Sequence, residues 1–148
     1  MTVPDDITAM LAERFAIEPS DPITVDRERI VQLGAALKQC GFTFLVYVAC
    51  THYPASETEP DRTVAEYRLR RLPYDEVAFR TWVPTGETTP TLVPVFAGCD
   101  WQEREQYDLV GTVFAGHPDL RRIMLPEDWE GHPLRRDYDI ATRHHPWR

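Results

Sequence analysis

The sequence lacks most of what marks a protein that carries a cofactor or spans a membrane. Its three cysteines include no Cys-x-x-Cys pair, which argues against an iron–sulfur cluster, a zinc site or a disulfide framework. No glycine-rich phosphate loop is present. The longest apolar run, residues 42–50, is interrupted by Thr43 and falls short of the roughly 18 residues that a membrane span needs. The residues therefore predict no cofactor, no metal ion and no membrane span in this chain.

Positive charge is also scarce, and almost all of it is arginine. The 16 cations include a single lysine, Lys38, and 24 acidic residues bring the formal net charge to -8. Phosphate binding relies on a basic surface, so nucleic acid is not an expected partner. The first residues lack the basic start and apolar core of a signal peptide, which predicts that the chain stays where it is made, in a bacterium the cytoplasm.

The apolar pattern predicts one domain with both helices and strands. At 148 residues and 43% hydrophobic content, the chain can bury a sizeable core. Apolar residues at helical spacing predict two amphipathic helices, and β-branched and aromatic runs predict three strands. The helices cover residues 5–15 and 26–39, and the strands cover residues 42–49, 64–72 and 77–83. The first strand is expected to lead into an exposed loop at residues 51–61.

A third helix is predicted from Asp100 to a stop at Gly111. Asp100 followed by Glu103 has the spacing of a capping box, with Trp101 expected in the core and Arg104 expected to face outward. The fold class is therefore α+β: a mostly antiparallel sheet of about three to five strands with helices packed on it. Residues 1–111 form the expected core domain.

Residues 112–148 are predicted to be an extended, proline-rich tail that docks on a partner. Prolines 118, 126 and 133 exclude a continuous helix, and the apolar residues lose any period. The tail contains a near-repeat in which Gly-His-Pro at residues 116–118 and 131–133 is followed by paired arginines. Such a segment has no core of its own, so it is expected to lie along another protein surface.

The run at residues 101–138 resembles the signature region of the 30 kDa (C) subunit family of respiratory complex I. The family pattern is met by Glu103-Arg104-Glu105, Asp108, Leu109-Val110, His117, Arg121 and Ile123-Met124. The resemblance extends over roughly residues 40–138 and is strongest after Asp100.

This resemblance implies a peripheral-arm subunit of proton-translocating NADH:quinone oxidoreductase, held on the cytoplasmic side of the membrane. It would be non-catalytic alone and would pack against the large D subunit and other hydrophilic-arm subunits, while FMN, iron–sulfur clusters and quinone lie in partner subunits. The resemblance and the tail pattern together give a candidate interface with the D subunit. Its residues are Glu103, Arg104, Glu105, Asp108, His117, Arg121, Arg122, Trp129, His132, Arg135 and Arg136.

Other interpretations of the same residues remain open. The charged helix is also compatible with a solvated face, and Glu103 and Glu105 with acid–base chemistry. The five histidines suggest a metal site, although their spacing fits no known ligand motif. The chain is also compatible with the equivalent subunit of a membrane-bound hydrogenase-type complex or another complex I-like dehydrogenase. A free-standing α+β ligand-binding domain is the alternative from a different functional class.

Overall fold

The structure, a computed structural model, describes residues 3–141. Its helices and strands occupy the first 115 residues, and residues 116–141 contain neither. The α-helices are α1 (Asp5–Met10), α2 (Ile30–Gln39) and α3 (Cys99–Val110), with a π-helical turn (Leu11–Phe15) after α1 and a 3-10 turn (Arg27–Arg29) before α2. The strands are β1 (Ile23–Thr24), β2 (Phe44–Tyr53), β3 (Arg62–Arg71), β4 (Asp75–Pro84), β5 (Thr88–Pro90) and β6 (Val113–Ala115).

The main sheet has four strands in the order β1-β4-β3-β2. Strands β2, β3 and β4 form antiparallel pairs, whereas β1 joins the edge of β4 in parallel. Strands β5 and β6 make a second, parallel pair. The predicted α+β class with a mostly antiparallel sheet is confirmed, and so is the extended, proline-rich tail that follows it.

The core lies on one face of this sheet. Along β3 and β4 every second side chain is buried, as expected for strands with one covered face. Tyr67 and Phe79 stack there with ring centroids 5.3 Å apart. The helices contribute Ile30, Leu33 and Leu37 to the same core cluster, each with no exposed surface. Burial of this apolar surface is the main force that holds the sheet and helices together.

The structure corrects two predicted details of the strands and helices. Strand β2 continues to Tyr53, so Thr51 belongs to the sheet, opposite Val64, and not to an exposed loop. Helix α3 begins one residue before Asp100, its N-cap is Gly98, and no side chain caps it. The Asp100–Glu103 capping box is therefore wrong, because the Glu103 side chain turns into the core instead.

Two expectations about the faces of α3 are also wrong. Trp101, expected in the core, is 67% exposed, and Arg104, expected to face outward, is only 5% exposed. The helix rests against β2, where Gln102 and Gln106 accept hydrogen bonds from the backbone N–H groups of Val48 (2.6 Å) and Cys50 (2.8 Å). This contact fixes the rotation of α3 and covers backbone donors on the edge strand β2.

None of the helices within residues 3–141 is both long enough and apolar enough to cross a membrane.

Candidate interaction site

Helix α3 carries three charged side chains that the protein buries. Glu103 and Asp108 have no exposed surface, and Arg104 retains 5%. Charged groups are rarely buried unless hydrogen bonds or opposite charges replace the water that they lose. The partners of these three groups therefore show what α3 holds in place.

Glu103 connects α3 to the sheet and to the segment that follows β5. Its carboxylate accepts hydrogen bonds from the Tyr67 hydroxyl (3.1 Å), the Leu92 backbone N–H (2.9 Å) and the Thr91 hydroxyl. Loss of solvent raises the pKa of Glu103, and these hydrogen bonds offset only part of that rise. The side chain lies inside the domain, where it braces α3 against β3.

Asp108 holds the start of the tail. One carboxylate oxygen accepts a hydrogen bond from Arg122 (2.7 Å). The other accepts three hydrogen bonds, from the backbone N–H groups of Ile123 (3.0 Å), Met124 (2.7 Å) and Leu125 (2.9 Å). Burial raises the pKa of Asp108, but the hydrogen bonds from Arg122 and the three backbone groups outweigh it, so the pKa lies below its ordinary value.

The two Gly-His-Pro units bind opposite ends of α3. The imidazole of His117 accepts from the Asp119 backbone N–H at Nδ1 (3.1 Å), so its Nε2 carries the proton donated to the Asp100 carbonyl (3.1 Å). His132 donates from Nδ1 to the Asp108 carbonyl (2.9 Å). The near-repeat in the sequence therefore marks two equivalent attachments of the tail, at the first and last turns of the helix.

The predicted arginines differ widely in what they contact. Arg104 points to the tail, 3.3 Å from the Asp119 carboxylate and 3.4 Å from the Arg121 carbonyl. Arg122 also donates to the carbonyls of Trp129 and Gly131, both at 3.0 Å. The indole of Trp129 is half-buried. Arg104 and Arg122 are therefore both occupied within the chain, and their contact with a partner stays a prediction.

A cluster around His52 holds the tail at residues 135–137. Buried His52, near the end of β2, accepts a hydrogen bond from the Arg136 backbone N–H (3.2 Å) and lies 2.6 Å from Asp61. Arg135 lies 2.9 Å from His52 and pairs with Asp137 (2.9 Å). Arg135 is thus also paired within the chain, and its contact with a partner stays a prediction.

This cluster is not predicted from the sequence, because the predicted first strand ends before His52 and no local pattern connects His52 with Arg135. His52, Asp61 and Asp137 offer atoms within 4.8 Å of one another, a spacing that would suit a cation. Arg135 and the Arg136 backbone already engage those atoms, so the arrangement is complete as a clasp for the tail.

A second set of predicted residues lies on the surface. Beside the exposed Trp101, one turn along α3, Glu105 is half-buried and has no polar partner within residues 3–141. The guanidinium of Arg104 lies 5.1 Å from the Trp101 ring centroid. Arg121 is exposed and pairs with Asp119. We call four of these surface residues the α3 ridge: Trp101, Glu105, Arg121 and the exposed Met124.

The predicted interface residues other than the half-buried Trp129 thus fall into three groups. Glu103, Arg104 and Asp108 lie inside the domain, while Arg122, His117, His132 and Arg135 attach the tail to α3 or β2. Glu105, Arg121 and Arg136 have side chains that reach the surface. Contact of any of them with a partner stays a prediction.

A family model matches most of the chain. The model described as respiratory-chain NADH dehydrogenase, 30 Kd subunit, covers residues 23–144. This match includes the whole main sheet, α3 and the tail attachments.

Curated relatives point to the same family. A protein of Rhizobium meliloti (strain 1021), named as the C 1 subunit of an NADH-quinone oxidoreductase, is 40% identical over 124 residues, 80% of this chain and 60% of the relative. The C subunit of the NADH-quinone oxidoreductase of Geobacter sulfurreducens is 39% identical over 144 residues, 88% of this chain and 86% of the relative. The chain therefore spans less than two thirds of the Rhizobium relative and most of the Geobacter one.

Two further similarities bear on the fold and its neighbours. A Bdellovibrio bacteriovorus protein, named as the C/D subunit of an NADH-quinone oxidoreductase, is 35% identical over 148 residues, 94% of this chain but only 26% of the relative. A solved structure described as Nqo5, of a trypsin-resistant fragment (1-134), has a TM-score of 0.59 and 33% identity. The match covers 66% of this chain and 80% of the fragment.

Proposed function

The chain belongs to the family of the 30 kDa subunit of respiratory-chain NADH dehydrogenase, and we propose that it is a cofactor-free peripheral-arm subunit of a proton-translocating NADH:quinone oxidoreductase. In this role the chain performs no chemistry alone. It packs against the D subunit on the cytoplasmic side of the membrane and supports assembly and electron transfer to quinone in the complex. FMN, iron–sulfur clusters and quinone belong to partner subunits.

The carrying observation is the family match over residues 23–144, and the relative named as a C/D subunit supports the choice of the D subunit. Because this chain covers only 26% of that relative, the relative joins a region like this one to a much longer remainder. Two proteins that are fused in one organism often contact each other as separate chains in another. That fusion favours the D subunit as the neighbour.

The cysteines support the cofactor-free part of the proposal. Cys40 follows α2, Cys50 lies in β2 and Cys99 starts α3, and all three are free thiols. Burial raises the pKa of Cys50 to about 12 and also raises the pKa of Cys99. The group of three or more potential metal ligands that the described residues bring together, His52, Asp61 and Asp137, includes none of these cysteines.

We assign the contact with the D subunit to the α3 ridge. Tryptophan and arginine are enriched among residues that dominate interface energetics, and Trp101 is the largest exposed side chain of α3. Asp108 and Arg104 act behind the ridge, because they fix the tail segment that carries Arg121 and Met124. The buried charges of the signature region thus shape the contact surface from inside.

The test is purification of the full chain, affinity-tagged, from detergent-solubilised membranes of cells that express it with its neighbouring genes. We expect subunits of an NADH:quinone oxidoreductase to co-purify, and Trp101→Ala with Glu105→Arg to reduce their recovery. Tyr74→Ala is the control, since Tyr74 is 90% exposed in the turn between β3 and β4. Recovery of hydrogenase subunits, or of the chain alone, would contradict the proposal.

A further inference from the structure

The face of the main sheet opposite the core carries an unusual collection of arginines and aromatic rings. Strand register places alternate residues of β3 on this outer face, and their partners on β4 share it. Val64 and Ala78 lie there, buried yet separate from the core cluster that the helices complete. The long side chains around them therefore provide their cover.

Positive charge is in excess on this outer face, although the protein as a whole is negatively charged. Strands β3 and β4 present four arginines and two glutamates there, whereas the chain as a whole has a net charge of -8. The arginines are Arg62, Arg68, Arg70 and Arg80, and the glutamates are Glu66 and Glu76. The tail adds Arg136, which is exposed.

At one end of this face the arginines surround two aromatic rings. Arg62 lies 3.9 Å and Arg80 5.7 Å from the centroid of the Trp82 ring. Tyr53 meets Trp82 edge-to-face at 5.5 Å, and Arg136 lies 4.9 Å from the Tyr53 ring. We call these five residues the arginine–aromatic surface.

Most of the donors on this surface have no carboxylate to bind. Arg62 pairs with Glu59 at 2.8 Å, whereas Arg80 and Arg136 have no ion-pair partner among the described residues. The Nε of Arg80 donates to the Thr24 hydroxyl (3.1 Å), which leaves its two terminal nitrogens for a carboxylate. Glu66, opposite Arg80 in the register, accepts a hydrogen bond from Tyr47 instead. A guanidinium held against a ring keeps its edge N–H groups free to bind a carboxylate with two parallel hydrogen bonds.

A cleft beside Trp82 extends this surface. Its volume is about 440 Å³, and it separates the 3-10 turn before α2 from the end of β4. Its lining includes Arg62, Trp82 and Thr81, and three arginines there (Arg27, Arg29 and Arg62) outnumber two acids, Asp26 and Glu28. The Thr81 hydroxyl and the Nε of Arg62 are buried with no hydrogen-bond partner among the described residues. Thr81 shares the core face of β4 with Phe79 and Val83, so the group that faces this surface is the Arg62 Nε. Buried polar groups are normally satisfied, and a polar ligand or a water would satisfy this one.

We propose that the arginine–aromatic surface docks a short acidic segment of a partner protein, whose carboxylates pair with Arg80 and Arg136 and whose chain enters the cleft beside Trp82. The composition is that of an interface hot spot, in which tryptophan, tyrosine and arginine predominate. A protein segment suits it better than a nucleic acid or an anionic membrane. The net charge of -8 repels an extended polyanion, whereas a short segment meets only the local excess of arginine.

This surface lies on the outer face of β2, β3 and β4 and on the tail at Arg136, apart from α3, so it is a second contact beyond the one assigned to the D subunit. It does not depend on that assignment, because any partner with an acidic segment would satisfy it.

Carbodiimide crosslinking of the tagged full chain in intact membranes tests the proposal. The reagent joins an amine to a carboxylate within salt-bridge distance, which makes Arg80→Lys a reporter that keeps the positive charge. Arg14→Lys is the matched control, since Arg14 is exposed in the turn after α1 and its one hydrogen bond within residues 3–141 is to Gln39 (3.5 Å). Mass spectrometry of the crosslinked peptides identifies the partner residue.

We expect Lys at position 80 to crosslink to an aspartate or glutamate within an acidic stretch of another chain, and Lys at position 14 not to. Replacement of Arg136 by Glu should abolish this crosslink. Crosslinks confined to this chain, such as one to Glu66, would overturn the proposal. So would a partner residue in a neutral or basic stretch, or binding to anionic phospholipid vesicles that Arg80→Glu abolishes.

The crosslink and the co-purification decide different claims. A crosslink to a protein outside any NADH:quinone oxidoreductase would uphold the acidic-segment proposal while contradicting the proposed function. Co-purified oxidoreductase subunits without a crosslink from position 80 would uphold the proposed function and contradict the acidic-segment proposal.

Discussion

The sheet domain and the tail are held in place by different forces. The sheet and helices share an apolar core in which Tyr67, Phe79 and Leu33 lose nearly all contact with water. The tail is fastened mainly by hydrogen bonds, with Asp108 at one end and His52 at the other. Apolar packing tolerates small shifts, whereas hydrogen bonds fix position and direction. Asp108 and His117 of the signature region thus fix where the tail lies, while Glu103 of the same region braces α3 against β3.

The largest effect is expected from removal of the Asp108 carboxylate, which holds the first part of the tail. Asp108→Ala leaves Arg122 without its buried partner and three backbone N–H groups without an acceptor. Breaking a buried ion pair from one side typically costs about 3 to 5 kcal/mol. We expect lower stability to urea, and faster amide hydrogen exchange at Ile123 to Leu125 than in the strands.

Asp128→Ala is the control, because Asp128 is an exposed acid of the same tail. Equal exchange at residues 123–125 in both variants would show that Asp108 does not hold the tail.

A backbone substitution tests how closely the tail approaches α3. Gly111 has a φ of 84°, and a Cβ there would lie 2.6 Å from the His132 ring. Gly86 also has a φ of 84°, but nothing lies within 4 Å of its Cβ position. In both alanine variants the left-handed conformation costs about 1 to 2 kcal/mol, and only Gly111→Ala must also displace His132.

We expect Gly111→Ala to lower the melting temperature more than Gly86→Ala, and to expose residues 131–136 to protease. Equal melting temperatures of the two variants would show that His132 and the tail shift away from the added Cβ without loss of stability.

Much of the sheet domain follows from the sequence, but the tail contacts do not. The helices at residues 5–15 and 26–39 and the central strands have clear apolar periods, and the structure confirms them within a few residues. The short strands β1, β5 and β6 were missed, since two or three residues carry no period. Trp101 was misplaced because its exposure depends on how Gln102 and Gln106 dock on β2, a contact between distant segments.

The candidate site shows the same limit. The repeated Gly-His-Pro units and the charged α3 were visible as patterns, and the structure joins them. Their partners were not, because Asp108 and Arg122 are separated by 14 positions and His52 and Arg136 by 84. Sequence spacing cannot show which buried charge meets which donor.

A fall in pH should have opposite effects on the contributions that Asp108 and Glu103 make to the free energy of unfolding. The pKa of Asp108 lies below its ordinary value of 3.8, so its stabilising contribution is present above that pH and disappears as the pH falls through the lowered pKa. The pKa of Glu103 lies above its ordinary value of 4.5, so its contribution is largest at low pH and declines as the pH rises through the raised pKa.

Urea unfolding of Glu103→Gln and Asp108→Asn against pH measures both effects. Relative to the unmodified chain, the free energy of unfolding of Glu103→Gln should rise as the pH rises above 4.5. The loss of free energy of unfolding caused by Asp108→Asn should shrink as the pH falls below 3.8. Parallel curves for the two variants would contradict the assignment.

The smallest effect is expected at the neighbouring arginines of the first repeat, which the sequence does not distinguish. The Arg121 side chain is 64% exposed and pairs with the half-exposed Asp119, whereas that of Arg122 is 15% exposed and pairs with fully buried Asp108. An exposed ion pair contributes only about 0 to 1 kcal/mol, so Arg121→Ala should barely change the urea midpoint. Arg122→Ala should lower it clearly, since it leaves the Asp108 carboxylate buried without its cation. If Arg121→Ala instead destabilised the isolated chain as much as Arg122→Ala, Arg121 would belong to the anchor of the tail and not to the ridge that we assign to the D subunit.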